Sequence, residues 1–315
     1  MFSTSIVFFY FYLCTHTRNS RIIDTNRRQI MRVVKIYFSP TGNTKKVVEA
    51  VATSIDPYSK NTVDLDITLQ SNRTGFSYAA QPQDLVIFGM PVYAGRIPNL
   101  LLPFVKSVTG GLEISQAKVK AIPVVTYGGR NYDDALIELA DILENNGFDV
   151  VAAGAFIAEH SFSNKICNAL PDNDSLTFAA KLGVIALGKG TVAGNRDYEE
   201  YRRNEIFVGK KSIKGRSEGE RVYYRPAYAD GSPINMLKVK PLTKENCSRC
   251  GLCAGRCPMG SISAENPAMV TGPCIKCNRC VRECPEGAKY FDDAGYLYHV
   301  HDLERRIGNG YNNAT

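Results

Sequence analysis

The sequence predicts an α/β fold, a doubly wound parallel sheet with a small second domain behind it. Two observations predict this. Short apolar, β-rich runs alternate with segments of helical spacing over the first part of the chain. That alternation implies a parallel sheet covered by helices on both faces. Eight of the 10 cysteines then crowd together near the C-terminus, where the alternation has stopped.

The elements follow in order. Val33–Phe38 is a short apolar strand, and Lys45–Ile55 carries apolar residues at helical spacing. Thr62–Ile67 is a weaker strand, and Asp84–Gly89 a strong one. Ile97–Val108 is expected to be helical, Lys118–Thr126 a strand, Tyr132–Asn146 a helix, Val150–Ala158 a strand and Leu176–Leu187 a closing helix. The strands read as continuous apolar runs, as strands buried on both faces do. In such sheets ligands bind beyond the carboxyl ends of the strands, at the point where strand order reverses. The loops after the first, third and fourth strands are therefore the candidate binding loops.

The first of these loops is Ser39-Pro40-Thr41-Gly42-Asn43-Thr44. Hydroxyls, an amide and a glycine stand where a helix N-terminus exposes its backbone N–H groups, which suits a terminal phosphate. The spacing is neither G-x-x-x-x-G-K-[ST] nor G-x-G-x-x-G, so neither a Walker loop nor a dinucleotide loop is present. Simple helix capping is the competing account of such residues.

The cysteines form two copies of one spacing. They are Cys247-x2-Cys250-x2-Cys253-x3-Cys257-Pro258 and Cys274-x2-Cys277-x2-Cys280-x3-Cys284-Pro285, offset by 27 residues. Zinc competes for C-x2-C pairs. Three cysteines at successive x2 spacings, followed by a Cys-Pro, are instead the ligand run of two-cluster bacterial ferredoxins. A disulfide framework suits small secreted domains, not a chain of 315 residues. Cys14 and Cys167 are left over, as structural or incidental thiols.

Thr243–Phe291 resembles a two-cluster bacterial ferredoxin domain over its whole length, including Gly251 and Gly287-Ala288. Met31–Gly190 resembles flavodoxin. Its first loop is similar to the family's T/S-x-T-G-N-T phosphate loop. Met90–Pro98 is similar to the second flavin loop and Tyr127–Asp133 to the third. Together they resemble the flavodoxin–ferredoxin fusion family. The resemblance implies a flavodoxin-like five-stranded sheet in the order 2-1-3-4-5 and a small C-terminal α+β bacterial-ferredoxin-like domain. The implied layout is an extension outside the fold (1–30), an FMN-binding domain (31–190), a basic linker or docking segment (191–241), a ferredoxin domain (242–292) and a tail (293–315).

It also implies FMN and two 4Fe-4S clusters. Three thiolates come from a tight loop and the fourth from the other run. Cys247, Cys250, Cys253 and Cys284 would then hold one cluster, and Cys274, Cys277, Cys280 and Cys257 the other. FMN would be held by Ser39, Thr41, Gly42, Asn43 and Thr44, then Pro91, Val92, Tyr93, Ala94 and Gly95, then Thr126, Tyr127, Gly128, Gly129, Asn131 and Tyr132. The chain has no Trp, so Tyr93 and Tyr132 are the first candidates to stack on the isoalloxazine, with Tyr127 third. Arg96 and Arg130 are candidates to face reduced flavin, or plain surface residues. His160 follows the fifth strand and titrates near neutrality when unperturbed. It is a candidate to pass a proton, against the commoner role of a structural histidine.

The formal net charge of +7 does not point to nucleic acid. No long Lys/Arg run is present, and bound clusters and a flavin phosphate would offset about six of those charges. Ile6–Leu13 is too short to span a bilayer and lacks the flanks of a secretory signal. Residues 1–30 read as an upstream extension from a misassigned start, an organelle-targeting or membrane-associated segment, or a structural arm. The expected setting is cytoplasmic, or an organelle if 1–30 is a targeting segment. The expected function is electron relay between two 4Fe-4S clusters and FMN, with a protein redox partner. The alternatives are an FMN-dependent reductase of a small molecule and a non-catalytic redox sensor. Oligomeric state is open.

Overall fold

The structure, a computed structural model, describes residues 31–111, 118–167, 170–190, 204–213, 215 and 221–308. The expectations for residues 1–30 and Cys14 lie outside the described residues.

Five parallel strands form the centre of a flavodoxin-like sheet. They are β1 (Met31–Tyr37), β2 (Ser59–Asp66), β3 (Asp84–Pro91), β4 (Val119–Tyr127) and β5 (Ala152–Ile157), in the order β2-β1-β3-β4-β5. The expected order is thus the observed one. The stretch expected as one strand over Val150–Ala158 is broken. Phe148–Val150 pairs with the start of β4, and β5 pairs with its end.

The inner strands β1, β3, β4 and β5 bury residues on both faces, whereas the edge strand β2 has no fully buried residue. Val33, Leu85, Ile87, Ile122 and Val124 face α1 (Asn43–Ile55) and a later helix, Asn173–Ala186. Val34, Ile36, Val86, Phe88 and Val125 face the opposite layer. That layer holds α2 (Leu102–Lys106), α3 (Ala135–Asn145) and Leu101. The expected helix over Ile97–Val108 is therefore short. Proline lacks an N–H and is tolerated only in a helix's first turn. Pro103 stands in the first turn of α2, and a separate 3-10 turn, Asn99–Leu101, precedes it. Asn173–Ala186 is α4, capped by the Asp172 carboxylate, which accepts from the Ser175 N–H at 2.8 Å.

The segment after α4 does more than wrap the surface. Glu205–Val208 forms β6, an antiparallel edge strand on β5. The sheet thus has a strand that the sequence pattern did not indicate. Lys210 pairs with Asp141 and Glu144 on α3, and Arg221 pairs with Asp141. Those basic groups of the expected docking segment are engaged within the chain.

The cysteine-rich segment is a two-fold repeat in backbone as well as sequence. Helix α5 (Leu252–Gly255) recurs as α6 (Arg279–Arg282). The left-handed residues Arg249, Gly251 and Gly260 recur as Lys276, Asn278 and Gly287. Thr243 pairs with Lys289, and Ile262 bridges to Val270, which is the same pairing moved by one repeat. The residues expected as a tail begin with α7 (Ala294–Leu303), capped by the Asp293 carboxylate. Among the described residues no helix is long and apolar enough to cross a membrane.

Candidate functional site

A cleft of about 1200 Å³, counting space open to solvent, lies at the carboxyl ends of β1, β3, β4 and β5. The three expected loops converge on it. Thr41, Asn43 and Thr44 line it from the first loop, Pro91 to Gly95 from the second, and Thr126, Tyr127, Gly128 and Asn131 from the third.

The first loop shows why the remaining residues of its motif matter. Ser39 is buried and folds the loop rather than lining the cleft. Its N–H donates to the Thr68 hydroxyl at 2.9 Å, and its own hydroxyl accepts from the Lys45 N–H at 3.0 Å. Gly42 is the N-cap of α1 at φ 85°, a left-handed conformation that costs any other residue energy. The Thr44 and Thr126 hydroxyls lie 2.7 Å apart, joining the first and third loops. The N-terminus of a 13-residue helix thus points at the cleft with small polar side chains around it. A phosphate fits that donor set.

In the second loop Tyr93 and Arg96 exchange backbone hydrogen bonds across Ala94 and Gly95, both left-handed. Tyr93 is partly buried, and desolvation pushes its phenol well above the usual value. Arg96 turns away from the cleft and pairs with Glu138. Its guanidinium also donates to the Arg221 carbonyl. In the third loop Gly128 lies so close to His160 that a Cβ there would meet the imidazole Cδ2 at 2.5 Å. Gly129 shapes the turn at φ 84° and does not line the cleft. Neither does Tyr132. Its hydroxyl donates to the Glu205 carboxylate on β6, and its ring meets Tyr127 edge-on at 5.5 Å. The expected stacking role of Tyr132 is therefore corrected: the unforeseen edge strand holds that side chain. Tyr93 and Tyr127 remain as aromatic lining.

The roof of the cleft comes from outside the five-stranded domain. Tyr224, Pro226 and Met236 reach it from the linker, Ile275 and Lys276 from the second cysteine run, and His299 and Leu303 from α7. The Tyr224 N–H donates to the Ala94 carbonyl at 2.8 Å, so the linker is stitched to the second loop. Arg130 lies 4.3 Å from the Tyr224 ring centroid and pairs with Asp133.

His160 lines this cleft. Its Nδ1 accepts from the Phe162 N–H at 3.1 Å, which leaves the proton on Nε2. Burial, helped by the positive neighbours His299, Arg130 and Arg282, lowers its pKa to about 3. Burial likewise lowers His299 to about 4. At neutral pH His160 is thus a fixed hydrogen-bond donor and not the near-neutral titrating group its residue type suggests.

Two smaller cavities lie in the cysteine-rich segment. Cys247, Cys250, Cys253 and Cys284 line one, and Cys257, Cys274, Cys277 and Cys280 line the other. Each therefore draws three cysteines from one run and the fourth from the other. Backbone N–H groups point at the sulfurs, Ser261 to Cys257 at 3.4 Å, Ala288 to Cys284 at 3.2 Å and Lys276 to Cys274 at 3.4 Å. Burial pushes the Cys277 and Cys280 thiols up to about 12, so thiolates there need a positive partner such as bound iron. The donor set, its convergence and the inward N–H groups fit an iron–sulfur cluster in each cavity. Among the described residues no three His, Cys, Asp or Glu side chains form a single-ion site. Ile275 lines both the second cavity and the cleft. Cys167 is fully buried in the core beside the sheet.

No family model and no curated protein matches the chain. Solved structures similar to half of it are flavodoxin-like. A flavodoxin from the domain Archaea is 16% identical over 50% of this chain and 99% of its own, with a TM-score of 0.34. Flavodoxin 2 from Bacillus cereus is 14% identical over 50% of this chain and 99% of its own, with a TM-score of 0.35. An NADH:FMN oxidoreductase is 18% identical over 50% of this chain and 89% of its own, with a TM-score of 0.35.

Proposed function

We propose that this chain is an electron-transfer flavo-iron–sulfur protein of the flavodoxin–ferredoxin fusion type, carrying FMN and two 4Fe-4S clusters. The observation that carries the reading is the shared wall. The cavity of Cys257, Cys274, Cys277 and Cys280 and the cleft of the three loops both touch Ile275. When bound, clusters exchange single electrons and flavin exchanges one or two, so one chain would convert between them.

The protein's own part is placement and insulation. The α1 N-terminus and Thr41, Asn43 and Thr44 would receive the phosphate. The second and third loops would receive the ring, under a roof of Tyr224, Met236, Ile275 and His299. The cysteines of the cavity beside Ile275 would hold an inner cluster. Cys247, Cys250, Cys253 and Cys284 would hold an outer one, and Cys250 is exposed there. A protein redox partner would therefore meet the outer end.

The experiment is anaerobic reconstitution with FMN, iron and sulfide, followed by iron, sulfide and flavin analysis. About eight irons and one flavin per chain are expected. Intact folded protein that takes up neither iron nor flavin would refute the reading. A second reading, reduction of a small molecule in the roofed cleft, is favoured by His160 and His299 lining the same space. It predicts turnover with small acceptors that falls in His160→Gln at unchanged flavin content.

A further inference from the structure

Arg73 carries a charge that the flavin loops and the cysteines do not by themselves explain. It ends a short turn of helix after β2 and is only 3% exposed. Its guanidinium donates to the Ile67 carbonyl at 2.8 Å, the Thr68 carbonyl at 2.7 Å and the Pro258 carbonyl at 2.5 Å. It lies against the rings of Phe38 and Phe104, 5.7 and 5.3 Å from their centroids. Among the described residues no carboxylate forms an ion pair with it. Burial holds its pKa below the ordinary value, with the nearby Cys257 sulfur acting in the opposite direction, and the Met259 sulfur stands 4.0 Å from Nη2.

A guanidinium buried without a carboxylate is costly, because carbonyl dipoles replace only part of the lost hydration. An anion on the far side of Pro258 would remove that cost. Four thiolates with four irons and four inorganic sulfides would form such an anion, carrying about −2 when oxidised and about −3 after one electron. The position of Arg73 also ties the two parts of the chain together. Thr68, whose carbonyl it binds, uses its hydroxyl to hold Ser39 in the first loop. The neighbouring Gln70 side chain touches Gly260, just beyond Cys257-Pro258.

We propose that Arg73 is a positioning residue for the inner cluster. Its fixed charge clamps the Cys257-Pro258 turn against the sheet and favours the reduced state of the cluster held by Cys257, Cys274, Cys277 and Cys280. The step it biases is addition of one electron from an external one-electron donor, with no bond made or broken and no proton moved. The proposal rests on the cluster reading above and adds a potential-setting group to it.

The test is an anaerobic redox titration with dithionite, followed by EPR, on wild type, Arg73→Gln, Arg73→Lys and Gln70→Glu. Arg73→Gln should disfavour reduction of one cluster about tenfold, equal to about 59 mV for a one-electron couple, and leave the other cluster unmoved. Arg73→Lys, which keeps the charge, should return most of the shift. Gln70→Glu leaves the Arg73 bonds in place but adds a negative charge beside the same turn, so it should lower the same potential. It reads the electrostatics even if Arg73→Gln fails to assemble. Unchanged potentials in Gln70→Glu and in any assembled Arg73→Gln, or equal shifts of both clusters, would overturn the role of Arg73. A wild-type protein with no four-iron signal would instead overturn the cluster reading.

Discussion

Cys257 closes the first cysteine run and Cys274 opens the second, yet both line one cavity. The reciprocal exchange places Cys284 with Cys247. Which cavity a cysteine lines is thus set by folding of the repeat and not by order along the chain. Cys257→Ser should therefore behave like Cys277→Ser, and Cys284→Ser like Cys250→Ser. Each should remove about half of the bound iron. Iron analysis with EPR checks the grouping, and Cys257→Ser grouping with Cys250→Ser would reverse the assignment.

Gly42 tests the phosphate end of the cleft. A Cβ there would meet nothing within 4 Å, but φ is +85°. Gly42→Ala should then cost about 1–2 kcal/mol, the left-handed penalty, and weaken flavin binding by distorting the α1 N-terminus. Thermal unfolding and flavin titration read both effects. Gly128→Ala differs in kind, since its Cβ would collide with His160. It should lose flavin with little dependence on the phosphate group, so riboflavin and FMN affinities should fall alike.

Tyr132 and Tyr93 should separate cleanly. Tyr132→Phe removes the bond to Glu205 and should cost about 1 kcal/mol of stability with flavin affinity nearly unchanged. Tyr93→Ala should leave the fold and reduce flavin affinity by at least tenfold. Parallel melting curves and fluorescence titrations decide the matter.

The two histidines lining the cleft give a pH dependence. Both have folded-state pKa values below the unfolded value, about 3 for His160 and about 4 for His299. The unfolded chain therefore binds more protons once pH drops below about 6.5. Their contribution is neutral above that pH, and stability is lost as pH falls from about 6.5 towards 4. Melting temperature should decline over that window, and His160→Gln with His299→Gln should flatten the decline. An equal slope in the double variant would show that other groups are responsible.

The parts of this molecule legible in the sequence are those with local causes. The β1 loop from Ser39 to Thr44 could be read because a strand, a small polar run and a helix start are adjacent in the chain. The cysteine sets could be read because the repeat carries its own spacing. The sheet order needed only alternation and the family likeness. The roof could not be read, since Tyr224, Ile275 and His299 reach the cleft from three distant segments without periodic signal. The Tyr132 contact is hidden for the same reason, because its partner Glu205 lies on an edge strand within a polar, glycine-containing stretch. His160 lines the cleft, but its lowered pKa follows from burial and then from His299, Arg130 and Arg282, which only folding brings near.

The most direct measurement of the central claim is anaerobic addition of less than one electron equivalent of dithionite to the reconstituted protein, with flavin absorbance and cluster EPR followed together. The relay account predicts that electrons entering at the clusters equilibrate with flavin within one chain, at a rate independent of protein concentration. In Cys277→Ser, with the inner cluster lost, that transfer should slow sharply while flavin remains bound. Flavin reduction that depends on protein concentration, or that proceeds equally fast in Cys277→Ser, would contradict it.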